Sequence, residues 1–312
     1  MKVIFMGTPE FAVATLEAII EAGHEVSLVV TQPDKPKGRG RNMQFSPVKE
    51  CALRYDIPVF QPVKIREPEA LAELNRYEAD MIVVVAFGQI LTKEILDRPR
   101  YGCINVHASL LPRYRGAAPI QWAVIDGEEK TGVTIIRMDE GIDTGDMIAK
   151  TEVLLDTEET GGSLHDKLSL TGARLLVQTI QKIENGSASY EKQEDSQSCY
   201  AKMLSKQLGN IEWSKPAVEI ERLIRGLNPW PSAYTYSDGK TMKIWKAHIE
   251  KDLEGVVPGQ AVMISSTQLL VQTGSGSLAL DEIQLEGKKR MQTAEFLRGF
   301  RIKQGTIFSQ ER

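Results

Sequence analysis

Over residues 1–185, continuous apolar runs alternate with stretches whose apolar positions return at helical spacing. Val3 to Met6 is such a run and stops at Gly7, and Phe11 to Glu21 follows with helical periodicity. Glu25 to Thr31 predicts a second strand, Pro58 to Phe60 a short one, and Glu67 to Arg76 a helix. Ser46 before Pro47 reads as a helix cap followed by a proline at the first helical position. Met81 to Ala86 (MIVVVA) is apolar on both faces, which belongs inside a parallel sheet covered on both sides. Gly132 to Met138 and Met147 to Leu155 predict further strands. Ser163 to Asn185 predicts a long helix stopped by Asn185-Gly186. This alternation predicts an open, doubly wound α/β domain with a mostly parallel sheet.

Ser187 to Ser205 is polar and weakly patterned and reads as a linker. A helix at Val218 to Gly226 then precedes short β-rich runs: Tyr234 to Tyr236, Thr241 to Trp245, Gly259 to Ser265, Leu269 to Thr273 and Leu278 to Leu285. Asp238-Gly239 is a hairpin signal. The pattern predicts a small β-barrel, of the oligonucleotide-binding kind. The expected division is 1–187, a linker at 188–205, and 206–312.

The chain has 312 residues, which favours two domains at about 150 residues each. With 42% hydrophobic and 26% charged residues it is neither collagen-like, mucin-like nor globally disordered. Its longest apolar run, Met81 to Phe87, is far short of the ~20 residues of a membrane helix. The N-terminal segment turns acidic too early for a signal peptide. Cys51, Cys103 and Cys199 make neither a disulfide framework nor a zinc spacing, so a reducing cytoplasm is expected. Residues 1–205 carry 23 Lys and Arg against 30 Asp and Glu, and residues 206–312 carry 15 against 12. Two readings of this asymmetry stay open: a second half that faces a polyanion, or chance distribution.

No GxGxxG and no GxxxxGK[ST] occurs, so a dinucleotide cofactor is not expected. The densest polar cluster is Cys103-Ile-Asn105-Val-His107-Ala-Ser109-Leu-Leu-Pro112-Arg-Tyr-Arg-Gly116. If 103–107 is a strand, Asn105 and His107 share one face, about 7 Å apart. An amide donor and an imidazole so placed can flank one carbonyl, as acyl transfer requires. A hydrogen-bonded structural pair is the competing reading. His24, His165 and His248 lack such neighbours and read as structural or surface residues. Asp139, Glu140, Asp143 and Asp146 crowd one Gly-rich loop, for which three readings are open: a metal loop, a solvated turn, or a carboxylate orienting His107. Lys35, Lys37, Arg39 and Arg41 alternate with Gly and Pro, which suits either phosphate contact or a solvated loop.

These residues together resemble the formyltransferases that use 10-formyltetrahydrofolate. The resemblance lies in Asn105-x-His107 with Asp143, and in Ser109-Leu-Leu-Pro112 followed by Arg113 to Ile120. It extends to Phe5-Met-Gly-Thr-Pro9, Thr31-Gln-Pro-Asp34, Gly38-Arg-Gly40 and Asn228-Pro-Trp-Pro231, and so covers essentially the whole chain. It implies a Rossmann-like catalytic domain followed by an oligonucleotide-binding-like barrel that binds tRNA. The implied reaction takes the formyl group from 10-formyltetrahydrofolate to the amino group of methionine on initiator tRNA, without a metal. By the same resemblance Asn105, His107 and Asp143 are catalytic. Ser109, Leu110, Leu111 and Pro112 meet the folate, and Arg39, with Lys37 and Arg41, meets the tRNA. A cytoplasmic monomer with no membrane partner is expected.

Overall fold

The computed structural model describes residues 1–37, 42–263, 265–300, 302–303 and 305–311. Three segments (Met1–Gly116, Lys130–Leu154 and His165–Ala201) form one compact unit, and Ala117–Glu129, Leu155–Leu164 and Lys202–Arg312 form a second.

The elements up to residue 201 are, in chain order, β1 (Lys2–Gly7), α1 (Val13–Glu21), β2 (Glu25–Val30), β3 (Lys35–Lys37), β4 (Asn42–Gln44), α2 (Pro47–Arg54), β5 (Val59–Phe60), α3 (Pro68–Leu74), β6 (Met81–Val85), α4 (Lys93–Leu96), β7 (Cys103–His107), β8 (Arg115–Gly116), α5 (Pro119–Ile125), β9 (Lys130–Arg137), β10 (Met147–Leu154), α6 (Gly161–Glu184) and β11 (Tyr200–Ala201). Of these, α5 belongs to the second unit, and α6 starts there.

The first unit is built on a seven-stranded sheet of order β10-β9-β7-β6-β1-β2-β5. Strands β7, β6, β1, β2 and β5 run parallel, while β9 and β10 add antiparallel pairings at one side. All five residues of β6 and all five of β7 are buried. That burial is why Met81 to Val85 show no period, since each large aliphatic side chain taken from water is worth about 1.5–3 kcal/mol; Ala86, expected in the strand, lies beyond it, exposed and at φ 47°. One face gathers Ile4, Met6, Leu28, Ile82, Val84 and Phe87 into a core. Helix α2 begins as its sequence predicts, with Ser46 accepting from the Lys49 N–H at 3.1 Å and Pro47 opening the first turn. Residues 187–201 lie on this unit as a strap: Glu191 bridges to Met147, and β11 pairs in parallel with β8.

The second unit continues with α7 (Ala217–Gly226), β12 (Ala233–Ser237), β13 (Lys240–Glu250), β14 (Ala261–Met263), β15 (Leu269–Gln272), β16 (Ser277–Leu285), β17 (Met291–Gln292) and α8 (Thr293–Gly299). Its antiparallel sheet has the order β12-β13-β16-β15-β14, with β17 beside β16. Asp238 (φ 49°) and Gly239 (φ 71°) both take the left-handed backbone that a tight two-residue hairpin demands. The strand expected at Thr241 to Trp245 runs on to Glu250, through register shifts at Lys246 that bend it. Of the one expected at Gly259 to Ser265, Ala261–Met263 form β14.

The two edges of this sheet do not stay open. Ser309 exchanges backbone hydrogen bonds with Tyr236 beside β12, and Thr306 and Phe308 engage Ala261 and Gly259 beside β14. One short segment therefore bridges both edges and curls the sheet into a barrel, which removes the unpaired strand edges. Ile211, Ile220, Ile224, Ile244, Val271 and Leu280 help fill its core. Helix α5 packs on α7 at Gly226, where a Cβ would fall 2.5 Å from Ile125 Cγ1.

Among the described residues no helix is long and apolar enough to cross a membrane.

Candidate functional site

In a sheet of this kind ligands bind beyond the carboxyl ends of the strands, near the point where strand order reverses. Here the reversal falls between β6 and β1, and β7 lies next to β6. The loops beyond these strands are tied together. Thr8 Oγ1 donates to the Phe87 carbonyl at 3.3 Å and accepts from the Gln32 N–H at 3.3 Å, and Gln32 Nε2 reaches the same carbonyl at 3.1 Å. Asp34 is held by Lys49 Nζ at 2.6 Å and by Gln61 Nε2 at 2.8 Å, and those bonds keep its carboxyl below the usual carboxylate range.

Strand β7 carries two polar residues in an otherwise apolar, buried element: Asn105 is 9% exposed and His107 6%. The two-residue spacing places both side chains on one face, and both meet Asp143. Asn105 Nδ2 donates to Asp143 Oδ1 at 3.1 Å, and His107 Nδ1 lies 3.5 Å from Asp143 Oδ2. The Gly116 N–H donates to Oδ2 at 2.8 Å. His107 Nε2 lies 2.9 Å from the Tyr114 carbonyl; since a carbonyl only accepts, Nε2 carries the proton there. The nitrogen facing Asp143 is then the one left for chemistry. Asp143 itself takes a left-handed backbone, φ 55°, uncommon for a residue with a side chain.

Residues 108–116 wrap the end of β7. Ser109 is fully buried, and its Oγ donates to the Arg113 carbonyl at 2.7 Å. Thr134 on β9 supports this turn twice, donating to the Ser109 carbonyl at 2.7 Å and accepting from the Leu111 N–H at 3.1 Å. Leu111 is buried, Leu110 and Pro112 are half-buried, and the Leu111–Pro112 peptide is cis. Ser109 to Pro112 thus follow His107 in the chain with one residue, Ala108, between.

The acidic loop divides its labour. Asp139 Oδ1 accepts from Gly141 N at 3.0 Å and Thr144 Oγ1 at 2.6 Å, closing the loop on itself, whereas Asp143 turns toward β7. Gly145 permits that loop: a Cβ there would sit 1.8 Å from the Arg137 carbonyl. Among the described residues no group of three His, Cys, Asp or Glu side chains is placed to hold a metal. In the basic segment, Lys35 to Lys37 form β3, paired with β4 as a hairpin. Arg39 and Arg41, two of the residues expected to meet tRNA, lie outside the described residues, and only the backbone of Lys37 is described.

Three contributors had no signal in the sequence: the Tyr114 carbonyl, the Gly116 N–H, and Gln193 on the strap. Gln193 Nε2 donates to the carbonyls of Asp143 and Gly145 at 2.7 and 2.8 Å, and its Oε1 accepts from Arg115 Nε at 3.0 Å. His24, His165 and His248 pair with the N-terminal amine, Asp166 and Asp281 respectively, away from these groups.

Comparison with known proteins finds relatives along the whole chain. The formyl transferase family profile matches residues 1–180, and the formyl transferase C-terminal domain profile matches residues 203–301. A methionyl-tRNA formyltransferase of Agathobacter rectalis is 64% identical over 309 residues, covering 99% of this chain and all of that protein. One from Lachnospira eligens is 56% identical over 315 residues, covering 99% and 100%. In fold, the chain is similar to an N-formyltransferase from Helicobacter canadensis, with a TM-score of 0.66, 19% identity, and 93% and 100% of the two chains covered. Identity of this degree along the entire length places the chain in the methionyl-tRNA formyltransferase family.

Proposed function

We propose that the protein transfers the formyl group of 10-formyltetrahydrofolate to the free amino group of methionine on initiator methionyl-tRNA, and that Asn105, His107 and Asp143 carry the step. The observation behind the residue assignment is the convergence of the Asn105 and His107 side chains on one carboxylate, Asp143, at the carboxyl end of β7. The neutral amine attacks the formyl carbon, and the carbonyl oxygen becomes an oxyanion. Collapse of the tetrahedral intermediate breaks the bond to the folate nitrogen, which takes up a proton as the amine loses one. Asn105 has two N–H groups; one engages Asp143 and the other serves the oxyanion. His107 Nε2 is committed to the Tyr114 carbonyl, which leaves Nδ1, beside the Asp143 carboxylate, as the ring atom that serves the reacting groups. Asp143 orients the imidazole and helps carry the proton from amine to folate nitrogen.

Ser109, Leu110, Leu111 and Pro112 line the folate side of this site, and Lys37, Arg39 and Arg41 contact the tRNA. Residues 1–187 carry the catalytic groups, 188–205 connect the two parts while lying in part on the first unit, and 206–312 bind tRNA; the enzyme works as a cytoplasmic monomer. The test is a formyl-transfer assay with 10-formyltetrahydrofolate and methionyl initiator tRNA, uncharged tRNA, or no acceptor. Formylation of the charged initiator alone is expected. Donor turnover without acceptor would indicate a hydrolase instead, and tRNA binding without turnover a binding protein.

A further inference from the structure

Asp143 is the hub of the site, and its backbone is tied to a segment outside its own loop. At this left-handed residue the carbonyl accepts a hydrogen bond from Gln193 on the strap. One amide nitrogen, Nε2, spans two carbonyls two residues apart, those of Asp143 and Gly145. The other end of the same amide accepts from Arg115 Nε, and Arg115 also pairs with Asp195 at 2.8 Å. Arg115 immediately precedes Gly116, whose N–H meets the Asp143 carboxylate. Gln193 therefore joins the two backbone segments that touch Asp143, one through each face of its amide. It is half-buried, whereas the strap residues on either side of it are exposed.

We propose that Gln193 is a positioning residue for formyl transfer: its amide sets the backbone of Asp143 and so the carboxylate that Asn105 and His107 share. This rests on the assignment of Asp143 as catalytic. A displacement of about 1 Å in such a group costs on the order of 100-fold in rate, which is the scale on which a lost brace is felt. The partners of Gln193 are Asp143, Gly145 and Arg115, so its loss acts on turnover rather than on substrate binding.

The test is Gln193→Glu, which keeps shape and the acceptor for Arg115 but removes both donated hydrogens. The expected result is a kcat lower by about 10-fold or more per folded active site, KM for both substrates within about twofold of wild type, and an altered pH profile of kcat. Added to Asp143→Asn it brings no further loss, because the carboxylate it positions is already gone. Wild-type kcat in Gln193→Glu overturns the proposal. So does a loss wholly accounted for by fewer folded molecules, read from the thermal transition and active-site titration. A fully active Asp143→Asn enzyme would instead overturn the catalytic assignment, so the two failures are distinguishable.

Discussion

Gly116 donates its backbone N–H to the Asp143 carboxylate at 2.8 Å, across 27 residues of chain. It does so at φ 108°, with the Tyr200 ring closed over the place where a side chain would begin. A Cβ at this position would fall 2.6 Å from Tyr200 Cε2 and 2.9 Å from the Ala201 carbonyl. Gly116→Ala should therefore cost about 1–3 kcal/mol in backbone strain alone, with β11 pushed away as well. A lower Tm together with a lower kcat is expected from melting curves and formylation kinetics. A variant with wild-type values of both would show that this contact is dispensable.

Asn105→Ala and His107→Ala should each lower turnover by about 100-fold or more, the usual cost of an oxyanion donor. Asp143→Asn should lose activity while still binding folate, since it keeps a polar group of the same size and loses the charge. Folate titration beside single-turnover kinetics separates these effects; near-wild-type turnover in Asn105→Ala and His107→Ala would remove both from the mechanism.

Arg39→Ala should raise the apparent KM for tRNA and flatten its dependence on salt, with little change in the KM for folate. Kinetics at several salt concentrations check this directly.

The three cysteines should differ sharply in reactivity. Cys51 and Cys103 are buried, and burial pushes the Cys103 thiol up to about 12, whereas Cys199 is exposed. Iodoacetamide at pH 8 should modify Cys199 alone, as peptide mapping will read. Because Cys199 Sγ accepts from the Tyr114 N–H at 3.2 Å, and the Tyr114 carbonyl holds His107, the adduct should also slow formylation.

His248 supplies a pH dependence of stability. Its hydrogen bond to Asp281, aided by Asp281 and Glu250 charges, raises its pKa above the ordinary 6.5. The folded state thus holds the proton more tightly than the unfolded chain. The stabilisation is complete below pH 6.5 and fades as the pH rises through the raised value. His248→Gln should consequently lower the urea midpoint more at pH 5.5 than at pH 9. An equal effect at both values would exclude the proton linkage.

Several features could be read from the sequence because they are local. The Met81 to Ala86 run had to hold a core strand, and Ser46-Pro47 had to open a helix. Asn105 and His107 share a face by strand geometry alone. Asp143 was different: four acids in one loop left three readings open, and what separates Asp143 from Asp139 is the approach of Gly116 and β7, which only tertiary structure creates. Gln193 stood in a polar stretch without period, where a single long-range hydrogen bond leaves no trace. The β3–β4 hairpin hid behind the Gly and Pro of the basic segment, and the edge-closing residues 306–309 are too few to show alternation.

The passage of the chain between the two units has a bearing on how far they behave as modules. Helix α5 lies in the middle of the sequence, yet it packs on α7 of the second unit, with Gly226 fitted against Ile125. No single cut yields both units intact. A fragment beginning after Ala201 would carry the barrel but leave the α5-facing side of α7 bare to water, and a fragment ending there would trail an unpartnered helix. Swapping the second unit between relatives as a cassette therefore means exchanging residues 117–129 and 155–164 with it, or accepting a mismatched helix pair at the graft.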